Sequence, residues 1–396
     1  MQLAVFLLVR RTVIELGQYR TFLFGLVVGL CWFSLYACIP VLAPYAQEMG
    51  ASYEMIGLII GGYGLSQMLM RIPLGILSDR LNQRKIFVII SMLLCMISSM
   101  GIWFFPDVQA LLIFRSIAGL AASVWVIQSV LYASYFPVAQ LSRAMGNISA
   151  ICYAGQMIGF LFGGITAYYL GAAAIFLVGT ISGALGFVLS CFIVETKSDS
   201  RQTIRWIDLL ATARDKRLNL TALLAALLQF MAFATVFGFT SLVAKKIGAN
   251  DLELGMMTTL YILPGIVASV LSGPFFAARF GEKKPLTISF VVSAVSCVVT
   301  PFISSIPVLY LWQIIGGFAR GLAFPLLMSL SIQHIANEKR ATAMGYFQAI
   351  YGLGMFLGPM TAGWTGAHLG LDWVFVIIGG ITLTGAAITK AYLKET

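Results

Sequence analysis

Two arginines stand inside long apolar stretches of the sequence, Arg320 near the middle of its stretch and Arg115 about one helical turn from the end. A guanidinium in such surroundings is costly unless it faces a cavity or a partner, and it binds carboxylate or phosphate through paired hydrogen bonds. Arg320 therefore predicts a ligand with a carboxylate, a phosphate or another electron-rich group. Its alternative is a structural role, bonded to backbone carbonyls or nearby glutamines. Arg115 has the alternative of reaching back to the membrane interface.

A third arginine, Arg71, stands nearer the end of its apolar stretch. We expect it to reach the membrane interface or to pair with Asp79, because a charged side chain near a helix end can extend its head into water.

Other polar and aromatic side chains in the apolar stretches are candidates to share one interior space. Polar groups in lipid-embedded helices prefer the protein interior, where hydrogen-bond partners exist. A mixed aromatic and amide lining suits a small amphipathic organic molecule. The candidates are Tyr36, Trp125, Gln128, Gln229 and Gln348.

The positions of the acidic residues and the lack of catalytic motifs argue against several functions. All fifteen acids fall near the ends of the apolar stretches or between them, which argues against an exporter that binds cations at a buried carboxylate. No HExxH, paired-carboxylate, Ser-His-Asp or nucleotide-loop pattern is present, so we predict neither an enzyme nor a cofactor. The six cysteines and two histidines lack metal-ligand spacing, so no metal site is predicted.

Membrane-spanning helices are the elements that must position these residues. The chain has 396 residues, of which 60% are apolar and 10% charged, whereas soluble domains carry about a quarter charged residues. Because one span needs roughly 20 apolar residues, the pattern predicts twelve helices. They are expected at about 21–45, 55–78, 86–105, 109–135, 143–169, 171–194, 219–244, 254–278, 286–304, 308–334, 341–367 and 372–393.

Basic residues predict the orientation. With the N-terminus in the cytoplasm, cytoplasmic segments hold twenty Lys and Arg residues, and outer segments hold only Lys245 and Lys246. Cytoplasmic loops carry such an excess, so both termini are expected on the cytoplasmic side of the inner (plasma) membrane. This distribution explains the net charge of +10 without a nucleic-acid partner.

The chain divides into four predicted segments. Residues 1–20 form an N-terminal cytoplasmic or interfacial segment, and 195–218 form a cytoplasmic linker with a short helix near 206–214. The two six-helix bundles are 21–194 and 219–396.

An internal repeat of about 198 residues relates the two bundles. Gly57 recurs as Gly255 and Tyr63 as Tyr261, and later in the chain the shift is 199. Two parallel six-helix halves are a transporter architecture, in which the solute binds between them near the midplane. A channel gains nothing from such a duplication, and a sensor would need a larger soluble domain.

The loop between the second and third spans carries the sequence GILSDRLNQRK, which resembles the loop signature of the major facilitator superfamily (MFS). The matching residues are Gly75, Asp79, Arg80, Arg84 and Lys85. Asn82 replaces a glycine and can still adopt a positive φ. In the second half the Asp is replaced by Ala278. The resemblance implies that Asp79 faces the N-terminus of the eleventh helix and holds the cytoplasmic side closed in the outward-facing state. A cluster of basic residues with a helix-capping Asp is the alternative.

Arg115 and Gly119 resemble a second signature of the superfamily, in the fourth span. The resemblance implies a role for Arg115 in proton coupling. By the repeat Gly317 matches Gly119, so Arg320 is expected to face the same central space as Arg115.

Glycines of the fifth and eleventh spans resemble the antiporter signature of the same superfamily. Phe160 replaces its usual proline in the fifth span, whereas the eleventh keeps it. Close helix packing explains part of this pattern, and the resemblance adds a preference for export. The matching residues are Gly155, Gly159, Gly163, Gly164, Gly354, Gly358 and Pro359.

The sequence thus predicts an all-α membrane protein with twelve transmembrane helices in two parallel six-helix repeats, the MFS fold. We predict a monomeric, proton-coupled secondary transporter of a small organic solute, anionic or amphipathic, that works by alternating access with export favoured. The alternatives are an uptake carrier or exchanger for an anionic metabolite and a non-transporting membrane sensor.

Overall fold

The computed structural model describes residues 2–137, 140–195, 214–335 and 339–393. Side chains are described from Tyr19 onwards in these ranges, except those of Asp79, Ser142 and Ala341. The described chain is helical, without a β-strand. Its twelve principal segments are α1 (Tyr19–Glu48), α2 (Tyr53–Leu81), α3 (Lys85–Phe104), α4 (Val108–Ala133), α5 (Leu141–Leu170), α6 (Ala174–Ser190), α7 (Lys216–Lys246), α8 (Asp251–Phe280), α9 (Lys283–Phe302), α10 (Ile306–Ile332), α11 (Arg340–Leu369) and α12 (Leu371–Tyr392).

These segments match the predicted spans. Ten of the described segments are long and apolar enough to cross a membrane. The other two are α6, which is apolar but has 17 residues, and α11, which has 30 residues. All twelve predicted helices are confirmed. Apart from the start of the first helix, which lies at Gln2, no end differs by more than four residues.

The predicted terminal segment and linker are described only in part. The helix that contains the first part of α1 begins at Gln2, before the span itself, and runs unbroken to Tyr36. The side chains of residues 2–18 are not among the described ones. The predicted helix near 206–214 falls on residues outside the described ranges, apart from Arg214.

Short connections make neighbouring segments antiparallel, so the helix ends lie on two faces of the molecule. We call the first the basic face; it holds the ends of α2, α4, α6, α8 and α10 and the starts of their successors. Basic side chains at these ends include Arg80, Lys85, Arg279 and Lys283. The opposite face holds the ends of α1, α3, α5, α7, α9 and α11.

Interruptions occur at corresponding places in α1 and α7. The helix of α1 ends at Tyr36, passes through a 3-10 turn and resumes at Leu42. Pro40 in this turn lacks an N–H and removes a helical hydrogen bond. In α7 a π-helical turn covers Thr235–Phe239. Such breaks leave backbone groups free to contact other helices where they are buried in protein.

Helix packing inside the halves follows the internal repeat. A β carbon on Gly119 of α4 would overlap the carbonyl oxygen of Tyr63 in α2, and one on Gly317 of α10 would overlap that of Tyr261 in α8. Because only glycine allows backbones to approach so closely, the same helix crossing occurs once in each half. The predicted repeat is therefore present in the packing.

The two halves meet at the opposite face through a symmetric pair of crossings. A β carbon on Gly164 of α5 would lie 2.9 Å from the Gly255 Cα of α8. A β carbon on Gly363 of α11 would lie 3.2 Å from the Gly57 Cα of α2. The repeat relates these crossings, since Gly57 matches Gly255 and Gly164 matches Gly363.

The same four helices separate towards the basic face. There the repeat-related glycines Gly75, Gly146, Gly273 and Gly345 have no neighbouring part of the described chain within 4 Å of a β-carbon position. The space between the halves therefore opens to the basic face and is closed at the opposite face.

Candidate functional site

A cavity of about 170 Å³ lies between the two halves. Its walls come from α1, α2, α4 and α5 of the N-terminal half and from α7, α8, α10 and α11 of the C-terminal half. Of the seven predicted coupling and lining residues, the structure places five in these walls. They are Tyr36, Trp125, Gln229, Arg320 and Gln348.

Arg320 is held on the wall of the C-terminal half. Its Nη2 donates a hydrogen bond of 2.6 Å to Gln229 Oε1, and its guanidinium carbon lies 5.9 Å from the ring centre of Phe237 and 5.8 Å from that of Phe324. Its Nε is buried and has no hydrogen-bond partner in the described chain. The glutamine contact predicted as the structural alternative is therefore present, together with an unused donor beside the cavity.

A small side chamber of about 30 Å³ adjoins Arg320, between α5, α8 and α10. Tyr261 lines this chamber and also has a buried hydroxyl without a hydrogen-bond partner among the described residues. A space of this size holds about one water molecule, so the chamber can satisfy polar atoms that the described protein leaves free.

Arg71 is a cavity residue, so its predicted reach to the interface is wrong. The side chain is only 5% exposed, and its Nη1 donates a hydrogen bond of 2.7 Å to the hydroxyl of Tyr351 in the other half. Its Nε has no partner in the described chain. Gln67, one helical turn earlier, also lines the cavity. Gln67 and Arg71 are four positions apart and so lie on the same side of α2. This spacing was the sequence signal that this side of the helix faces the protein interior.

The remaining two predicted residues lie outside the cavity lining. Arg115 is buried in the N-terminal half, where Nη1 donates a 3.0 Å hydrogen bond to the Leu35 carbonyl and the guanidinium lies 4.5 Å from the ring centre of Tyr63. The Leu35 carbonyl belongs to the last helical turn before the break in α1. Gln128 is also buried, and its Nε2 lies 3.8 Å from the sulfur of Cys31.

An aromatic cluster, which we call the aromatic plug, separates the cavity from the opposite face. The ring centres of Tyr36, Phe160 and Phe237 lie 5.7 to 6.3 Å apart. No described lining residue lies beyond Tyr36 in α1 or beyond Phe237 in α7 towards the opposite face. Contacts with the plug extend from both halves, through Tyr63, Phe233 and Tyr261.

Residues of the loop signature surround the basic-face ends of α2, α3 and α6. Asn82 has φ of 50°, which confirms the predicted positive φ, and Gly281 has φ of 70° at the matching place. The Arg84 N–H donates to the Glu195 carboxylate, and Lys85 Nζ donates to the Cys191 carbonyl at 2.7 Å. Two of the signature positions thus fasten the end of α6.

The other signature residues have fewer described contacts. Arg80 is exposed, and Gly75 faces the open space between the halves. The Asp79 side chain lies outside the described residues, so its predicted position opposite α11 stays a prediction.

The antiporter-like glycines pack helices inside each half. β carbons on Gly155 and Gly159 would lie 2.6 and 3.1 Å from carbonyl oxygens of α1, and Gly163 is packed in the same way. Gly354 and Gly358 lie equally close to the backbone of α7.

Two further members of this motif lie at the boundary between the halves. Gly164 faces α8, and the carbonyl of Pro359 faces Gly57 of α2. The matching carbonyl in α5 belongs to Phe160 and faces Gly255. The replacement of proline by phenylalanine therefore keeps the backbone contact and adds a ring to the plug.

Two six-helix halves around a central cavity that opens to one face define a membrane carrier for small solutes. The sequence profile of the Major Facilitator Superfamily matches residues 22–243 and 221–396. The chain belongs to this family.

Relatives and solved structures of the family are similar over nearly the whole chain. The chain is 22% identical to the multidrug resistance protein MdtG of Salmonella choleraesuis, over 90% of this chain and 91% of that protein. It is 24% identical to the uncharacterised MFS-type transporter MJ1560 of Methanocaldococcus jannaschii, over 86% and 91%. The crystal structure of the D323A mutant of the nucleoside transporter NupG superposes with a TM-score of 0.80 at 16% identity, over 95% of this chain and 100% of that chain.

Proposed function

We propose that this protein is a monomeric secondary active transporter that carries a small organic solute by alternating access. The observation that carries the proposal is the central cavity, which is open to the basic face and closed from the opposite face by repeat-related glycine crossings. Because both halves use the same helix contacts, they can rock about the site and reverse this arrangement. The single chain supplies the whole cavity.

The basic face is, in this proposal, the cytoplasmic side of the inner membrane. The excess of Lys and Arg on that side supports the assignment through the positive-inside rule. Cys191 offers a direct test, because it is the exposed member of the six cysteines and lies at the basic-face end of α6. A membrane-impermeant thiol reagent should label it in inside-out vesicles and leave it unlabelled in right-side-out vesicles; the reverse pattern would contradict the orientation.

Export is the direction that we propose. The similarity to a multidrug resistance protein over 90% of the chain supports it, as does the glycine motif. Coupling to protons is implied by the family resemblance. In the described membrane segments the carboxylates lie near the helix ends. The described cavity lining therefore offers no carboxylate at which a proton could compete with the solute.

An uptake carrier or exchanger for an anionic metabolite is the second candidate. Arg71 and Arg320 favour it, because they bring two guanidinium groups to one cavity. Both candidates use the same alternating-access cycle and differ in solute and direction.

Transport into oriented vesicles tests the proposal. Right-side-out and inside-out vesicles with the protein should be loaded with a panel of organic anions, sugars and lipophilic drugs, with and without a pH gradient. We expect at least one solute to move faster than in vesicles that carry Gly164→Leu, in which the glycine crossing is disrupted. A solute that binds but never moves in either orientation would contradict transport and support a sensor.

A further inference from the structure

The central cavity is lined by two arginines, the buried Arg71 and the half-buried Arg320, and by no carboxylate among its described lining residues. Arg71 comes from α2 in the N-terminal half, and Arg320 comes from α10 in the C-terminal half. An arginine side chain cannot lose its proton in a protein. The described cavity therefore carries two fixed positive charges, one from each half.

Neutral groups are the hydrogen-bond acceptors of both arginines. Arg71 donates to the Tyr351 hydroxyl at 2.7 Å, and Arg320 donates to the Gln229 amide oxygen at 2.6 Å. Nearby rings offset part of the charge through cation–π contacts, but they supply no counter-ion. A guanidinium has five N–H donors, and each of these contacts uses one terminal nitrogen, so each arginine keeps donors for a ligand.

Aromatic and amide groups line the rest of the cavity. Trp32 and Trp125 pack edge to face with ring centres 5.5 Å apart, and the Trp32 Nε1 has no partner in the described chain. Gln348 presents a buried amide oxygen that is also unpartnered there. The cavity volume of about 170 Å³ is below the 300–1,000 Å³ that is common for drug-sized ligands. These features suit a small aromatic or heterocyclic body better than a large lipophilic drug.

We propose that the cavity binds a small organic anion between Arg71 and Arg320, with its apolar body against the tryptophans. This inference rests on the proposed transport function and names its substrate class. The anionic group takes the free donors of both arginines, one from each half, and so links the two halves through the solute.

The same charges govern the transport cycle. Closing the basic face around an empty cavity removes two cations from water without a counter-ion, which is costly in a low-dielectric interior. A bound anion compensates the charges and lowers that cost. The loaded carrier therefore changes state readily and the empty carrier slowly, so the return step needs a second anion. This behaviour is exchange of one anion for another.

Cys152 provides a reporter for the charge of the cavity, because its side chain lines the same walls. The purified full-length protein should be treated with two thiol reagents of similar size, the anionic sulfonatoethyl and the cationic trimethylammonioethyl methanethiosulfonates. Their rates at Cys152 are divided by their rates at the exposed Cys191, which cancels intrinsic reactivity. We expect the anionic reagent to be favoured on the order of tenfold, because a cleft of one sign concentrates the opposite ion.

Matched variants test the origin of this preference. Arg71→Gln and Arg320→Gln should each lower it several-fold, whereas Arg279→Gln, an exposed arginine at the basic face, should leave it unchanged. Arg71→Lys and Arg320→Lys keep the charge and should keep most of the preference. The proposal is overturned by equal labelling in the unmodified protein, by dependence on only one arginine, or by lysine variants that behave like the glutamine variants.

The labelling ratio and the vesicle assay can fail separately. Absence of transport for every solute would overturn the proposed function and leave the anion preference of the cavity measurable. Transport of only neutral or cationic solutes would overturn the anion assignment and leave the transporter function standing. Faster efflux of an organic anion when a second anion is present outside would support both the substrate class and the exchange cycle.

Discussion

Gly164 and Gly255 cross at the boundary between the two halves, where a β carbon on Gly164 would lie 2.9 Å from the Gly255 Cα. The repeat places Gly363 against Gly57 in the same way on the other side of the molecule. The opposite face is therefore closed by backbone packing at two glycine pairs. A side chain larger than that of glycine at one of these positions should disrupt the closure, whereas a change in the charge of nearby residues should not.

Replacement of Gly164 by leucine should open the opposite face. The new side chain would collide with the α8 backbone, which cannot move aside as a flexible side chain can, so the halves must separate there. We expect the equilibrium to shift by at least about tenfold, or about 1.4 kcal/mol, towards the state that is open to the opposite face. Distances between spin labels at the opposite-face ends of α5 and α8 measure the shift.

Gly380→Leu is the matched control for this change. Gly380 lies in α12, is exposed and has no neighbour from the described ranges within 4 Å of its β-carbon position. The Gly380→Leu variant should leave the distances between the spin labels on α5 and α8 unchanged. Unchanged distances in Gly164→Leu as well would show that the crossing does not hold the face closed.

Truncation of Phe237 should make the aromatic plug leaky. Phe237 contacts Tyr36 and Phe160 of the N-terminal half and Phe233 of its own half, so Phe237→Ala removes the plug ring that the C-terminal half supplies. We expect an impermeant thiol reagent, added at the opposite face, to label Cys152 several-fold faster. The control is Phe302→Ala at an exposed ring near the same face, 75% exposed; equal rates in both variants would contradict the role of the plug.

Arg115 and Arg320 should respond differently to the same substitution. Arg115→Gln removes the charged donor to the Leu35 carbonyl at the break in α1 and leaves this carbonyl the weak 4.0 Å contact with the Cys38 thiol. Loss of a hydrogen bond to a charged group costs about 1.5–3 kcal/mol. A lower thermal unfolding midpoint is therefore expected. Arg320 lies on the cavity wall. Arg320→Gln should therefore abolish transport, while the unfolding midpoint stays close to that of the unmodified protein.

Unfolding followed by tryptophan fluorescence, together with vesicle uptake, separates the two arginines. If Arg115→Gln kept its unfolding midpoint and lost only the response of transport to a pH gradient, Arg115 would act in proton coupling, as the family resemblance implies, and the structural assignment would fail.

Asp215 should make stability depend on acid pH. Its carboxylate accepts a hydrogen bond from the Leu218 N–H at 2.8 Å, and its other oxygen lies 2.9 Å from His334 Nε2. Partial burial acts to raise the pKa of Asp215, but the contacts with Leu218 and His334 outweigh it and the pKa lies below its usual value. The stabilisation is therefore complete above the usual pKa of about 3.9 and is lost as the pH falls through the lower folded-state pKa.

Asp215→Ala should lower the free energy of unfolding by about 1 kcal/mol at neutral pH, as expected for loss of an N-cap. The difference should shrink as the pH falls below the usual pKa of an Asp side chain. Asp215→Asn keeps the capping acceptor and should recover part of the loss without the pH dependence. A difference between the Ala variant and the unmodified protein that stays constant down to strongly acid pH would refute the assignment.

Local features of the chain were predictable. The ends of the twelve helices follow the change from apolar to charged residues, which acts within each segment. The positive φ of Asn82 could be predicted because the turn after α2 needs it and few residues supply it. The five lining residues Tyr36, Trp125, Gln229, Arg320 and Gln348 share one property, a polar or aromatic group in an apolar helix.

Features that depend on contacts between residues far apart in the sequence were harder to predict. Arg71 was expected to reach the interface or to pair with Asp79, and the structure buries it against Tyr351, 280 positions later in the chain. Arg115 was expected beside Arg320, but the carbonyl freed near the break in α1 takes its guanidinium. The π-helical turn of α7 had no predicted counterpart, because glycine and aromatic residues in an apolar run leave the helix type open.

By itself the sequence determined the number of helices, the division into two similar halves and the side that carries the basic residues. Hydrophobicity and charge act on each segment separately, so these properties can be read along the chain. Only the tertiary structure decided which face of each helix meets the cavity, which arginine turns into it and which side is closed. Those outcomes depend on the rotation of every helix against its neighbours, which is set by backbone contacts such as that between Gly164 and Gly255.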